Sequence, residues 1–315
     1  MQVSAFGPSG SAVPLGKTIS LEIKMDLDVP AATFQGTFLA AQEPGEIAKI
    51  KVTDDGGTTL FFQGPVDEQI FEAGPSGKTV TLAARSMAAL LLDNETASKS
   101  YESPWLNTIF ADHAAPYGIA SFEGNPFRGP SRFEARLGER EWNVISNFFI
   151  KSFWEAPRIT PDNILHTSGY PIFSLPEIPL GDRAAGEPAC ICARHILRRK
   201  SPLEKIQFIS PTGQPDTLLE NDPAISRGIR RQRYLMFERS VLELVDRGYL
   251  MINQSNRMAD LLFIRCLGDL PAVAGQAVRL KDPTLGTVSG YTVYRLRHWS
   301  DASGRMTDLT CVKFE

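Results

Sequence analysis

Gly77-Lys78-Thr79, followed by an apolar run, ends the way a nucleotide-binding P-loop ends, where backbone amides wrap the phosphates and a lysine and a hydroxyl complete the site. That pattern needs a glycine five residues before the Gly-Lys pair and a helix whose N-terminus faces the phosphates. Glu72 holds the glycine position, and its charge repels phosphate; Lys78-Thr79 opens a run with Val80 and Leu82 that alternates like a strand. A second Gly16-Lys17-Thr18 has Ser11 in the glycine position and also opens a strand. Both read as turns that lead into strands.

Cys190-x-Cys192-x-x-His195 offers thiols and an imidazole, the donors zinc prefers. A structural zinc takes four ligands in paired clusters, and His166 and Cys266 stand isolated in the chain, so packed free thiols are the expectation. Nucleophilic catalysis needs a serine or cysteine positioned by a histidine. The four histidines, His113, His166, His195 and His298, lie in no Gly-x-Ser-x-Gly elbow. His113 falls on the apolar side of a helix and is expected to pack there. Asp54, Asp55, Asp67 and Glu68 would make a catalytic pair only if folding set the right separation, which a sequence does not display. No catalytic, cofactor-binding or metal-binding residue is assigned, and no cofactor is expected. From Arg194 to Arg233, Arg194, Arg198, Arg199, Lys200, Lys205, Arg227, Arg230, Arg231 and Arg233 face only Glu204, Asp216, Glu220 and Asp222. This stretch could meet nucleic acid, an acidic protein surface or solvent. With only Tyr234 and Phe237 near it for stacking, a protein interface or a solvated face is the expectation.

The 315 residues are enough for about two domains, each with its own core, and 43% hydrophobic with 22% charged residues is ordinary for a globular chain. Against 33 basic side chains stand 36 acidic ones, a net charge of −3, so any electrostatic function is local. Met1 to Gly10 carries neither a basic nor an apolar leader, and no apolar stretch approaches the roughly 20 residues that span a bilayer. The expectation is a chain made and kept in the cytosol, without membrane embedding and with its four cysteines reduced.

These residues must be positioned by elements whose periodicity is legible. Ile19, Leu21, Ile23, Met25 and Leu27 alternate with polar residues over Thr18 to Asp28, a strand with one wet face. Ile47 to Val66 reads as a hairpin about Asp54-Asp55-Gly56-Gly57, and Thr79 to Ala83 as a further strand, with Ser86 capping a short helix through Leu92. The first ~95 residues thus read as a mostly antiparallel β-domain, a small barrel. Ser103-Pro104 predicts the start of a helix bearing Leu106, Ile109, Phe110 and His113, stopped at Pro116 and Gly118. Arg140 to Trp154 predicts a second helix, with Trp142, Ile145, Phe148, Phe149 and Phe153 along one side and Pro157 ending it. Ile159 to Pro188, rich in Pro and Gly, reads as a long ordered loop or small β-excursion at a domain seam. Lys205 to Ser210 predicts a strand and Phe237 to Asn256 a helix interrupted at Gly248. Leu261 to Cys266, Gln276 to Leu280, Val288 to Trp299 and Met306 to Phe314 predict a strand series, with a turn at Asp301 to Gly304. Gly-Pro-Ser-Gly recurs at Gly7 and Gly74 and Phe-Gln-Gly at Phe34 and Phe62, short fragments that read as reused turns.

The order of these motifs carries a resemblance. FQGPVDEQ at Phe62 to Gln69, the strand running into Ala84-Arg85-Ser86 and Leu90 to Asp93, LNTIFADHAAPYGI at Leu106 to Ile119 and EWNVISNFF at Glu141 to Phe149 resemble phage tail baseplate hub proteins. The family is that of late control protein D-like and Mu-like hubs, and the resemblance resumes at Gly275 to Leu280 and Gly286 to Phe314. It implies an α+β, mainly β chain: two tube-like antiparallel β-barrel domains, 1–100 and 201–315, with an inserted α/β region, 101–200. It also implies a non-enzymatic homotrimer whose six barrels match a sixfold tail tube protein on one side and a threefold central spike protein on the other. Other baseplate proteins would contact the insert, and DNA would meet the ring only in transient passage through its channel. The implied location is the virion tail baseplate, after assembly in the host cytoplasm. None of the motifs that carry the resemblance places the segment from Ile159 to Pro188, and no cell-wall hydrolase segment is recognisable. The competing expectation is a tail-associated hydrolase or peptidase on a β-rich scaffold.

Overall fold

Period-two alternation in Thr18–Asp26 buries Leu21, Ile23 and Met25 and turns Glu22 and Lys24 outward. A computed structural model, which describes residues 1–75, 77–167, 171–172, 174–236 and 244–314, pairs this strand with Val29–Leu39. Gly77–Arg85, Leu60–Gly74, Lys49–Thr53, Gln2–Phe6 and Ala12–Val13 then follow outward, every pair antiparallel. The return at Asp54 forms because its carboxylate accepts hydrogen bonds from Thr58 N (2.7 Å) and Thr59 N (3.0 Å). The apparent P-loop is the next hairpin: Glu72 lies opposite Thr79 and Gly74 opposite Gly77, whose φ of 119° only glycine adopts readily.

Phe-Gln-Gly proves to be a strand motif, not a turn, at both sites. Each phenylalanine is interior, the Phe34 and Phe62 rings lie 5.6 Å apart, and a Cβ on Gly64 would sit 2.0 Å from the carbonyl oxygen of Arg85. The glycine is there because the neighbouring backbone leaves no room for a side chain.

A second strand group begins at Gly286–Asp301, turns at Asp301, whose carboxylate accepts from Ser303 N (2.7 Å), and returns as Gly304–Val312. Asp260–Leu267 and Cys190–Leu197 extend it outward; Ala277–Asp282 pairs on its other side and takes Ile178–Leu180 in parallel. Arg295 to Ser300 pair with Asp26 to Leu21, so the two groups are one sheet. Its pairing path runs from Cys190–Leu197 to Ala12–Val13 without returning on itself among the described residues. A single apolar core underlies it, holding Ile23, Phe62 and Leu82 from one group with Leu262, Val293 and Leu309 from the other.

α1 (Ala89–Asp93), which lies before the expected insert, joins α2 (Leu106–His113) and α3 (Glu141–Phe153) of the insert around a second core that includes Leu91, Ile109, Val144, Phe148 and Phe149. Neither predicted serine cap is used. Ser86 Oγ accepts the amide of Ala32 at 3.0 Å, satisfying a strand that has left its ladder, and α1 starts three residues later. Ser103 adopts φ 41° and bonds to Ser131 O through its amide (2.8 Å), so α2 begins beyond Pro104. α3 stops at Trp154, in the left-handed region at φ 56°, and Phe153, though half exposed, keeps to its predicted side, its ring meeting Phe127 at 4.7 Å and Phe149 at 6.3 Å. The Pro/Gly-rich segment resolves as a β-excursion, Arg158–Ile159, Ile164–His166 and Ile178–Leu180, with 168–170 and 173 outside the described residues.

The described residues of 198–259 leave the sheet as a satellite. Lys205–Ile209 pairs with Pro215–Glu220 and Gln232–Met236; with α4 (Asp222–Ser226) and α5 (Leu244–Arg257) they enclose a third core of Leu203, Ile206, Phe208, Leu235 and Ile252. Of the helix predicted over Phe237 to Asn256, residues 237–243 lie outside the described residues. Gly248 sits where α5 meets the sheet: a Cβ there would lie 2.9 Å from the Phe208 ring.

Candidate functional site

The join between the two strand groups fixes what the outer face of the sheet presents. Register sets Arg265, Asp308, Arg297, Lys24, Thr33 and Arg85 side by side across six strands. A neighbouring row runs Arg194, Phe263, Thr310, Arg295, Asp26. Directly opposed residues on one face interact across strands, so this is a lattice of charges and rings. Arg265 grips Asp308 with two parallel bonds, Nε–Oδ1 2.6 Å and Nη2–Oδ2 2.8 Å, the fork geometry that suits a carboxylate. Arg297 and Lys24 each approach Glu22 at 2.5 Å, and Arg295 bonds Asp26. Arg297 and Arg265 also lie over the Trp299 ring, 5.5 and 5.7 Å from its centroid, and Arg194 lies over Phe263 at 5.3 Å. Beyond the join, Arg85 bridges Asp67 (2.9 Å) and Asp93 (2.7 Å).

Burial alone would raise the Glu22 carboxyl, but hydrogen bonds and charge from Lys24 and Arg297 outweigh it and hold it below the usual carboxylate range. The bond to Asp308 pushes the Arg265 guanidinium above its ordinary value. A groove of about 470 Å³ runs through the lattice, lined in part by Lys24, Asp26, Phe263, Arg295 and Asp308. Met25, Val29, Ala31 and Leu296 also line it, so its wall is mostly apolar, with fixed charges and the Phe263 ring set around it.

The residues that sequence alone singled out are scattered. Asp54 caps its own turn, Asp55 pairs with Arg305 at 2.7 Å and Asp67 with Arg85, so these acids are each committed to a different partner. The hydrogen bond from Arg305 is the main reason the Asp55 carboxyl is pulled down to about 2. His113 is buried as expected, but in a polar network: Nδ1 meets Glu141 Oε2 at 2.5 Å and Nε2 meets the oxygen of the Tyr101 hydroxyl at 2.7 Å, whose proton goes to Asp112 at 2.9 Å. The network ties α2 to α3 and to Lys99–Glu102. His166 bonds Thr160 Oγ1 (3.1 Å) and lies 3.2 Å from Glu123, with burial lowering its pKa. His195 Nε2 meets Asp260 Oδ1 at 2.7 Å, a carboxylate shared with Tyr291 and Lys313 beside a cavity of about 420 Å³. His298 is interior, with Nδ1 3.0 Å from Thr307 Oγ1 and burial pushing its pKa down to about 4.

No group of three His, Cys, Asp or Glu placed to hold a metal occurs among the described residues. Cys266, isolated in sequence, lies directly opposite Cys190. The basic stretch divides: Arg194 belongs to the sheet lattice, whereas Arg199 and Arg231 bond satellite carbonyls (Arg227 O, 2.8 Å; Ser201 O, 3.5 Å) and Arg227, Arg230 and Arg233 are exposed. Sequence reasoning missed the lattice itself. Its only local trace is the alternation of Arg295, Arg297 and Trp299.

No family model matches the chain, and no curated protein matches it. Solved structures do. A tail protein from Neisseria meningitidis superposes with a TM-score of 0.73 at 16% identity, over 99% of this chain and 96% of that one. The 43 kDa tail protein of prophage MuSo2 from Shewanella oneidensis gives 0.75 at 15% identity, over 99% and 98%. An E. coli component of the type VI secretion system, described as structurally similar to bacteriophage T4 tail proteins, gives 0.61 at 9% identity, over 100% and 77%. The fold is therefore the one these tail and secretion proteins share, as the resemblance in the sequence implied.

Proposed function

We propose that the chain is a structural hub of a phage tail or related injection machine, three copies of which form a ring between a sixfold tail tube and a threefold spike. The observation that carries this reading is the layout of strands about the join. Outward from it, one group runs 18–26, 29–39, 77–85, 60–74 and the other 286–301, 304–312, 260–267, 190–197. In each, a hairpin partner comes next, then a pair whose outermost strand precedes its neighbour in the chain; that pair follows the hairpin in the first group and precedes it in the second, so one order is a circular permutation of the other. One chain thus carries two strand groups of the same layout up to a circular permutation, and three chains would carry six, which is what a ring matching both symmetries requires.

In this reading each group is a tube-like barrel, with domain limits near 1–100 and 201–315, the second interrupted by the satellite and completed by Cys190–Leu197, and the insert turned toward other baseplate proteins. The charged lattice binds and does not react, so the chain is not an enzyme. DNA passes it only in transit, and the protein assembles in the host cytoplasm and stays in the virion. Likeness to tail proteins along nearly the whole chain supports the role. The test is the mass of the purified protein by light scattering and its shape by electron microscopy, alone and with the spike and tube proteins of the same genome. A ring of three is expected; a monomer under every condition, with both partners present, would sink the proposal.

A further inference from the structure

We infer that Cys190 and Cys266 are a cross-strand disulfide site, two thiols placed by the sheet to be joined by a low-molecular-weight disulfide acting as oxidant. The inference does not depend on the proposed hub role. Cys190–Leu197 pairs antiparallel with Asp260–Leu267, and Cys190 lies directly opposite Cys266. The amide of Leu267 donates to Ala189 O at 3.3 Å, which makes the pair flanking the cysteines the hydrogen-bonded one and the cysteines the non-bonded one. Cα atoms in such a pair are about 4.5 Å apart, inside the roughly 4.4–6.8 Å range that a disulfide accepts.

Opposed residues share a face, and here it is the inner one: Cys266 is fully buried and Cys190 packs half-buried against the same core. Cys192 is excluded despite its spacing. The extra residue at the bulge between Cys190 and Cys192 reverses the alternation, and Cys192 faces outward opposite Arg265. Cys311 is on the next strand opposite Leu262, four residues from Thr307, the residue that faces Cys266.

The exposures set the order of events. The half-exposed Cys190 thiolate attacks one sulfur of the oxidant and releases one small thiolate. Cys266, deprotonated, then attacks the Cys190 sulfur of the mixed disulfide and releases the second. Two protein thiols lose two electrons and two protons, the small disulfide becomes two thiols, and one S–S bond closes the chain around the satellite. Burial raises both thiols, Cys266 to about 12, so the reaction accelerates with pH, by about tenfold per unit while thiolate is scarce.

The reduced full-length protein is incubated with oxidised glutathione, alkylated and mapped by non-reducing peptide mass spectrometry. The expected product is a peptide pair joining Cys190 to Cys266, lighter by two hydrogens. Cys266→Ser should retain glutathione on Cys190, Cys190→Ser should leave Cys266 reduced, and Cys192→Ser should change nothing. A bond from Cys190 to Cys192 or to another chain, glutathione retained on Cys190 in the unsubstituted protein, or no reaction at Cys190 would each overturn the inference. The unsubstituted protein decides it even if a variant fails to fold.

Discussion

The two strand groups solve one problem in two ways. In the first, Leu60–Gly74 and Gly77–Arg85 are held in register by a tight turn; in the second, the equivalent pair, Cys190–Leu197 and Asp260–Leu267, is separated by the whole satellite, residues 198–259. Replacing a two-residue turn with about sixty residues costs only about 3 kcal/mol of loop-closure entropy, because the cost grows with the logarithm of length. What restores the register is local to the roots of the loop. Arg198 N donates to Ala259 O at 2.7 Å, and Asp260, the residue after Ala259, meets His195 across the two strands. The difference teaches that strand order survives a large insertion provided the bonds at its base are kept, and that the satellite can carry its own core without disturbing the sheet.

Breaking the satellite alone tests this most strongly. Phe208→Ala empties the centre of a small core and should cost about 4 kcal/mol. Hydrogen exchange should then lose protection over 205–236 while Thr18–Asp26 and Arg295 to Ser300 keep theirs; equal loss in both would mean the satellite and sheet are one cooperative unit. Gly64→Ala attacks the first group, forcing a Cβ against the Arg85 carbonyl. It should lower the denaturation free energy by about 3 kcal/mol, the upper end for overpacking, and a neutral result would mean that the two strands can separate without penalty.

The third test uses the join, where His298 of the second group lies opposite Ile23 of the first. Its folded pKa is about 4 against 6.5 unfolded, so between those values the unfolded chain binds a proton that the folded chain refuses. Stability is full above pH about 6.5 and falls toward pH 4 by about 3 kcal/mol. His298→Leu should flatten that part of the profile relative to the unsubstituted protein, and identical profiles would exclude His298 as the source. The smallest effect belongs to the lattice: a double-mutant cycle on Arg297→Ala and Glu22→Gln should give less than about 1 kcal/mol of coupling, since Arg297 is 47% exposed. Coupling well above that would mean that the outer face contributes measurably to folding.

What was legible in the sequence was local. Period-two burial in Thr18–Asp26, the Asp54 return and the apolar stripe of α3 are written within a dozen residues each, and all three formed. Ser86 and Ser103 misled because a hydroxyl beside a helix start bonds whichever orphan group is nearest, and here that was a neighbouring strand or loop. Cys190 and Cys192 share a face by counting, and only the bulge separates them. The lattice was illegible for a different reason: Arg295 reaches Asp26 across 269 positions, and no local pattern encodes which strands meet.

That same long reach orders events as the chain is made. Pairs close in sequence, such as the satellite sheet and the α1–α3 cluster, can assemble as soon as they emerge, whereas the strands at Thr18–Asp26 must wait for Gly286–Asp301. Until then Glu22, Lys24 and the backbone beside them form an unpaired sheet edge, the feature through which nascent strands stray into the wrong company. The residue pairs that unite the two groups would thus be the last to form during synthesis and the first exposure to guard against, a vulnerability that a chaperone or an early-binding neighbour would be placed to cover.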